Sequence, residues 1–195
     1  MEAIQFNKET LVAVYGNCNA EGRKAIKEQL GESLSEILPV TDRVKTLSDA
    51  IEELGKEHEA VKAYRAMEWY LRDYAPDLMA YFELRIITAA LNEGWEPQFT
   101  PDEERWYGWY DLISKEAYDS LSDEEKGRCV GRSGSSAGAS GGLVCSSADY
   151  ASSYSYTSFS SRLAFKNREL AEYAAKQFIE IYANFCFIPE NKESK

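Results

Sequence analysis

The fold is decided by the stretch Ser160-Ser161-Arg162-Leu163-Ala164-Phe165-Lys166-Asn167-Arg168-Glu169-Leu170, which an apolar periodicity follows as far as Phe185. Its first half predicts a short strand, Arg162–Phe165, because polar and apolar side chains alternate there. Its second half predicts a helix, since Asn167 is a favourable N-cap and Glu169 lies in the first turn, where the helix dipole favours an anion. Apolar residues then recur at three- and four-residue steps, so we expect an amphipathic closing helix.

Helical patterns fill the chain before this stretch. Residues 1–45 predict a helical lead-in, and Pro39 ends its longest helix because the residue before a proline is pushed out of the helical region. The segment Thr46-Leu47-Ser48-Asp49 resembles a capping box that opens a short helix. Residues 57–92 keep helical spacing on both sides of Pro76, and we expect the second of these two helices to be the central buried one.

Strand patterns begin after Trp95. Residues 105–113 are aromatic and predict a strand, Cys129–Val130 is expected to pair with Leu143–Cys145, and Tyr150–Phe159 predicts a further strand. The polar residues 116–126 predict a helical excursion between strands. The pattern as a whole predicts an α+β fold with N-terminal helices, a small antiparallel sheet of about three or four strands and a closing C-terminal amphipathic helix.

Length and composition describe a globular protein. The 195 residues are 44% hydrophobic and 13% aromatic, which suffices for one domain with a core. No apolar run reaches the ~18 residues of a membrane span, and the N-terminus lacks the features of a signal peptide, so we expect a cytoplasmic protein. We divide the chain into a helical lead-in (1–45), an α+β domain (46–188) and a solvated tail (189–195).

The four cysteines, Cys18, Cys129, Cys145 and Cys186, lie far apart and form no Cys-x-x-Cys pair. Free thiols are therefore expected, and a disulfide framework is not. A Cys129–Cys145 bridge across a hairpin stays open, because the spacing neither requires nor forbids it.

The charge of the chain is unevenly distributed. A net charge of −11 argues against sequence-independent binding to duplex DNA, because that binding relies on Lys and Arg neutralising phosphates. Between Gly127 and Lys166, however, four cations and the single acid Asp149 give a net charge of +3. The four cations are Arg128, Arg132, Arg162 and Lys166. A basic segment that is rich in Gly, Ser and aromatic residues points to an anionic partner.

Catalytic and metal-binding patterns are weak in this sequence. His58 is the only histidine, so a Ser-His-Asp triad or a multi-histidine metal site would depend on it. It lies among charged residues at a predicted helix start, where we expect it to be exposed. The acidic runs Glu52-Glu53 and Asp123-Glu124-Glu125 are expected to lie on solvated helix faces. A hydrolase that uses two carboxylates stays open, because the folded chain could bring together a pair that is distant in sequence. We therefore predict no catalytic residue, no metal and no cofactor.

The basic segment contains the candidate ligand site. Arg162 and Lys166 lie four residues apart at the ends of the predicted last strand, so their side chains should share one face. Arg162 could bind a carboxylate or phosphate bidentately, or it could pair structurally with an acid on the closing helix. The Gly/Ser-rich residues 131–142 lack the Gly-Lys-Ser/Thr ending of a P-loop, so we expect a surface loop whose arginines could close over an anion. Exposed sheet aromatics would stack on bases, whereas buried ones would be core packing. The predicted ligand-binding residues are Arg162, Lys166, Arg128, Arg132, Trp109 and Tyr156.

Four stretches of the sequence, in this order, carry a family resemblance. They are Arg43-Val44-Lys45-Thr46 with Asp49-Ala50; Ile86-Ile87-Thr88-Ala89-Ala90-Leu91-Asn92-Glu93-Gly94-Trp95; Trp106-Tyr107-Gly108-Trp109-Tyr110; and Ser161-Arg162-Leu163-Ala164-Phe165-Lys166 leading to Glu169–Ala174 and Gln177-Phe178. Between about residues 40 and 187 the chain thereby resembles a family of small uncharacterised proteins encoded by phages and prophages of gut Bacteroides-type bacteria. The resemblance implies a phage context and brings no activity with it.

Taken together, these patterns predict a phage-encoded accessory binding protein of the host-takeover or counter-defence type, located in the cytoplasm of the bacterial host. Its partner would be a host protein or an anionic small molecule such as a nucleotide, bound by the basic, aromatic sheet and loop region. One alternative is a structural or assembly component of the virion, which would form homo-oligomers. Another is a small carboxylate-dependent hydrolase.

Overall fold

The computed structural model describes residues 7–31, 33–98, 100–126, 129–130, 142–152 and 161–186. The helices are α1 (Lys8–Asn17), α2 (Ala20–Leu30), α3 (Ser33–Ile37), α4 (Val40–Arg43), α5 (Leu47–Leu54), α6 (Glu59–Tyr74), α7 (Pro76–Asn92), α8 (Lys115–Ser120), α9 (Asp123–Lys126), α10 (Arg168–Gln177) and α11 (Ile179–Cys186). The strands are β1 (Glu104–Ile113), β2 (Cys129–Val130) and β3 (Gly142–Ser152). This part of the chain is mostly helical and carries a small antiparallel sheet, which confirms the predicted α+β class. No helix within it is long and apolar enough to cross a membrane.

Helix α7 forms the centre of the main core. Pro76 stands at its first position, where the missing N–H of proline costs no helical hydrogen bond. Leu84, Ile86, Ile87 and Leu91 on this helix are fully buried, and α5, α6 and α11 pack against it. The prediction of a central buried helix is confirmed.

A smaller core lies under the first helices. Tyr15, Leu34 and Leu38 are buried together, apart from the main cluster. The Tyr15 hydroxyl also donates a hydrogen bond to the Arg43 carbonyl oxygen at 3.4 Å. The first helices are therefore tied to the start of the main body by a buried polar contact as well as by their position in the chain.

The sheet consists mainly of one long antiparallel pair, β1 and β3, with the two-residue β2 on the other side of β3. The predicted pairing of Cys129 and Val130 with the start of β3 is present, since they oppose Val144 and Leu143. Cys129 is a free thiol. Its partner in the register of β2 and β3 is Val144, and because its thiol is free the Cys129–Cys145 bridge is not formed.

Helix α10 covers one face of the sheet through an unusually close contact. A Cβ atom on Gly108 would lie 2.6 Å from the Cβ of Ala175, closer than real Cβ atoms approach. The Tyr110 hydroxyl, on the same face of β1, donates to the Ala175 carbonyl oxygen at 3.2 Å. The lack of a side chain at Gly108 therefore sets the distance between helix and sheet.

The predicted last strand, Arg162–Phe165, is wrong. Residues Ser161–Leu163 form a turn of 3-10 helix, and Phe165 makes only a single antiparallel bridge to Trp106. The reason is tertiary: the Asn92 side chain takes the hydrogen-bonding groups that a strand would offer a neighbour. Its Nδ2 donates to the Ala164 carbonyl oxygen at 2.8 Å, and its Oδ1 accepts from the Lys166 amide at 3.1 Å. Of the other predicted strand, Tyr150–Phe159, the part up to Ser152 belongs to β3 and the remainder lies outside the described residues.

The stretch after Lys166 forms two helices where one was predicted. Asn167 caps α10 as expected, because its Oδ1 accepts from the Leu170 amide at 2.9 Å. Phe178, with φ −112° and ψ 26°, then interrupts the helix, and α11 follows from Ile179. The break lets α10 lie on the sheet while α11 lies on α7.

Candidate functional site

Lys166, predicted as an anion ligand, is held by groups of the protein itself. Its Nζ lies 3.0 Å from Glu93 Oε2 and 3.4 Å from the Asn92 carbonyl oxygen. Arg162 lies in the 3-10 turn and is exposed. The prediction that these two cations share one face of a strand fails because their segment is not a strand.

Glu93 joins Lys166 to a buried arginine. Its carboxylate lies 2.6 Å from Arg43 Nη2 through Oε1, while Oε2 contacts Lys166. Its backbone is left-handed, with φ 50° and ψ 46°, a conformation that non-glycine residues adopt rarely. Glu93 is the C-cap residue of α7, and its carboxylate lies between the two cations.

A chain of alternating charges continues from Arg43. Arg43 forms a second ion pair with Glu53, and its Nε donates to the Leu38 carbonyl oxygen at 3.1 Å. Glu53 in turn lies 3.2 Å from Lys27 Nζ. Lys27, Glu53, Arg43, Glu93 and Lys166 thus form one line of contacts, which we call the ion-pair chain. Burial lowers the pKa of the Lys27 ammonium.

A second buried ion pair lies beside the ion-pair chain. Arg23 Nε is 3.2 Å from Asp49 Oδ1. The other oxygen of Asp49 accepts from the Thr46 amide at 2.9 Å and from the Lys45 amide at 3.1 Å. Sequence reasoning identified the capping box of Thr46 and Asp49, which is confirmed. It missed Arg23, because nothing local marks a partner 26 residues away.

A cleft of about 280 Å³ opens at one end of the ion-pair chain. It is lined by Lys27, Gly31, Leu34, Ser35, Arg43, Glu52 and Glu53. Its two cations and two carboxylates balance, and Lys27 and Arg43 are already paired with Glu53. The cleft therefore has no excess charge with which to attract an anion.

Three of the four stretches that carry the resemblance, all but Trp106–Tyr110, meet around the ion-pair chain. Tyr173 donates through its hydroxyl to the Val44 carbonyl oxygen at 2.7 Å, and Gln177 donates to that of Lys45 at 2.8 Å. Burial, followed by the nearby carboxylates, raises the pKa of the Tyr173 hydroxyl. Asn92 contributes its hydrogen bonds with the Ala164 carbonyl oxygen and the Lys166 amide. These contacts give the motif residues a structural role.

The sheet aromatics divide between its two faces. The ring of Trp106 packs at a tilt of 38° against that of its cross-strand neighbour Tyr150, with ring centroids 4.8 Å apart. Trp109 is three residues further along β1, so its side chain lies on the other face of the sheet. Its cross-strand partner is Ser147, and it is 46% exposed. At the start of β1, Arg105 is buried and donates to Ser161 Oγ at 2.6 Å. Among the predicted ligand-binding residues, Arg128, Arg132 and Tyr156 lie outside the described residues.

Sequence reasoning missed an exposed aromatic group where α6 meets α7. Trp69 and Tyr74 are 74% and 72% exposed, Tyr70 is 46% exposed, and its ring stacks on Tyr74 at 5.0 Å. Met67 and Leu78 border them and are also largely exposed. The signal was present in the sequence, because these aromatics fall off the buried stripe of Val61, Tyr64 and Leu71.

The histidine on which a catalytic triad would depend has a structural role. His58 caps α6, since its Nδ1 accepts from the Ala60 amide at 3.2 Å. Burial raises the pKa of the Glu83 carboxyl, and the nearby Glu68 adds to the rise while Arg72 opposes it. Glu68 is bound to Arg72. The described residues contain no group of three or more His, Cys, Asp or Glu placed to hold a metal ion.

Comparison of the chain with known protein families, with curated proteins and with solved structures gave no match. Fold and site together define a helix-rich α+β protein in which buried Arg23 and Arg43 are paired with carboxylates, and in which exposed apolar side chains lie on both faces of the sheet and on α6.

Proposed function

We propose that this chain is an accessory binding protein that engages another protein through its sheet. The observation that carries the proposal is the exposure of Trp109 near the middle of β1, where its side chain is 46% exposed. Leu112 and Tyr150, on the other face of the sheet, are 57% and 50% exposed. Aromatic side chains are enriched in protein interfaces, and tryptophan is among the residues that most often dominate binding there.

The contacts of Lys166 favour a protein partner over a small anion. Lys166 already forms an ion pair with Glu93. Arg162 adjoins Ser161, which contacts Arg105 at the start of β1. Trp109 lies four residues further along the strand, about 13 Å away at the usual rise per residue. A single small anion does not span that distance together with a stacked ring, whereas a protein surface does.

The context of this binding rests on the sequence resemblance. A phage-encoded protein of this size, acting in the host cytoplasm, would bind a host protein in host takeover or counter-defence. The anionic ligand, the virion component and the carboxylate hydrolase are the competing functions, and each has a distinct outcome in the experiment below.

The test is capture of partners from a lysate of a Bacteroides-type host on the immobilised full-length chain, followed by affinity measurements with the identified protein. Trp109→Ala should weaken that binding tenfold or more, because truncating a central aromatic commonly costs about 2 kcal/mol or more. Trp69→Ala is the matched control, since it removes an exposed tryptophan from α6 and should leave the affinity unchanged.

Equal affinity of wild type and Trp109→Ala for the captured protein would contradict the proposal. Native mass spectrometry of the purified chain, with and without a nucleotide panel, covers the other functions. A bound nucleotide of fixed stoichiometry would favour the anionic ligand, turnover of the panel would favour the hydrolase, and large symmetric assemblies would favour the virion component.

A further inference from the structure

Helix α6 is an outer helix with a second apolar stripe beside its buried one. Its buried residues, among them Val61, Tyr64 and Leu71, face the body of the protein, and α7 is its main neighbour. Ala63, Ala66, Tyr70 and Tyr74 follow one another at three- and four-residue steps and so lie on one side of the helix. We call these four residues the α6 stripe.

The α6 stripe is small at one end and large at the other. Ala63 and Ala66, in the first half of the helix, leave a shallow surface. Tyr70 and Tyr74, in the second half, project from the helix as a stacked pair of rings. Two such helices placed antiparallel bring the projecting half of each against the shallow half of the other, and their shapes match.

The charges beside the α6 stripe also differ between its two ends, with a positive charge in the first half and a negative charge in the second. Exposed Lys62 lies beside the stripe in the first half of the helix, and exposed Asp73 lies beside it in the second half. Arg65 lies on a side of the helix that faces away from the stripe, and Asp77 belongs to α7. Lys62 contacts Glu57, but that carboxylate is 75% exposed and its ion pair is readily exchanged. The remaining charges of the helix are bound within the chain, Glu59 by Arg85 and Glu68 by Arg72.

We propose that the α6 stripe is the contact surface of a homodimer. Two copies pair antiparallel about a twofold axis, with Tyr70 over Ala66 of the second copy and Tyr74 over Ala63. The same alignment places Lys62 against Asp73 of the second copy, so shape and charge specify one register. A parallel pairing would set tyrosine against tyrosine and like charges against each other. A surface that complements itself in this way is what a twofold interface requires.

This proposal does not depend on the proposed function. The dimer uses α6, whereas the binding of a host protein uses Trp109 on the sheet. Loss of one leaves the other testable, and Tyr70→Ser and Trp109→Ala separate the two surfaces.

The test is sedimentation velocity of the full chain at low ionic strength, from low to high micromolar concentration. The wild type should convert from monomer to dimer. Tyr70→Ser and Ala66→Glu should stay monomeric over this range, with circular dichroism spectra that match the wild type.

Charge reversal tests the register directly. Lys62→Asp sets Asp against Asp73 of the second copy, and Asp73→Lys sets Lys against Lys62. Each reversal acts at two symmetry-related places, so each should weaken the dimer about tenfold. An equimolar mixture of the two variants should recover association, because every contact in the mixed dimer again joins opposite charges. Lys24→Asp on α2 is the control for the change in net charge and should dimerise as the wild type does.

Three results would overturn the proposal. The wild type could remain monomeric at every concentration, or the mixture of the two reversal variants could fail to associate more tightly than either alone. A dimer that Tyr70→Ser leaves intact would likewise show that the contact lies elsewhere.

Discussion

Replacing Asn92 with Ala should cost this protein a large part of its stability. The Asn92 side chain is buried, and its amide satisfies the Ala164 carbonyl oxygen at 2.8 Å and the Lys166 amide at 3.1 Å. The substitution leaves both backbone groups without that partner, and a buried unsatisfied group costs about 1–3 kcal/mol. A loss of about 2–5 kcal/mol is expected, out of the roughly 5–15 kcal/mol by which domains are stable.

The measurement is equilibrium unfolding in urea, followed by circular dichroism, with Asn184→Ala as control. Asn184 is an exposed asparagine on α11, and its substitution should change stability by no more than about 0.5 kcal/mol. Asn92→Asp gives an independent readout. The new carboxylate can still accept a hydrogen bond from the Lys166 amide, but it repels the Ala164 carbonyl oxygen. The pKa of this carboxyl in the folded state should therefore be raised, and the variant should regain stability as the pH falls. A loss below about 0.5 kcal/mol for Asn92→Ala would refute this reasoning.

Two further substitutions test the packing of the sheet and the burial of a carboxyl. Gly108→Ala should destabilise the protein by about 1–3 kcal/mol in urea unfolding, because the new Cβ would lie 2.6 Å from that of Ala175. Gly16→Ala in α1 is the control: the new Cβ would meet no atom within 4 Å, so this substitution should be neutral or stabilising. Glu83→Gln should raise the thermal unfolding midpoint at neutral pH, because burial raises the pKa of that carboxyl and its charged form opposes folding. The gain in the unfolding midpoint should vanish at pH values below the ordinary pKa of glutamate, where the carboxyl is protonated in both the folded and the unfolded state. A gain that does not depend on pH would contradict the attribution to burial of the charged form.

Local signals made much of the helical half predictable. The Thr46–Asp49 capping box, Pro76 at a first helical position and the Asn167 cap each depend on neighbours within one helical turn. The apolar spacing of α7 identified the central helix because a buried stripe must repeat at the helical period.

What escaped prediction depends on contacts between distant parts of the chain. The alternation of Arg162–Phe165 was too short to outweigh Asn92, which comes from α7 and fixes the segment in another conformation. Lys166 looked available because its partner Glu93 is 73 residues away. The aromatics of α6 fall off its buried stripe, but their exposure depends as well on which sides of the helix its neighbours cover, and α7 is its main neighbour.

The ion-pair chain constrains how this protein can change over evolutionary time. Arg43, the buried member, has two carboxylate partners, so loss of Glu53 or Glu93 alone leaves it paired and instead deprives Lys27 or Lys166 of its carboxylate. Loss of both carboxylates would leave a buried charge uncompensated, so homologues that lack both should also have replaced Arg43. Positions 43, 53 and 93 are thereby expected to vary together.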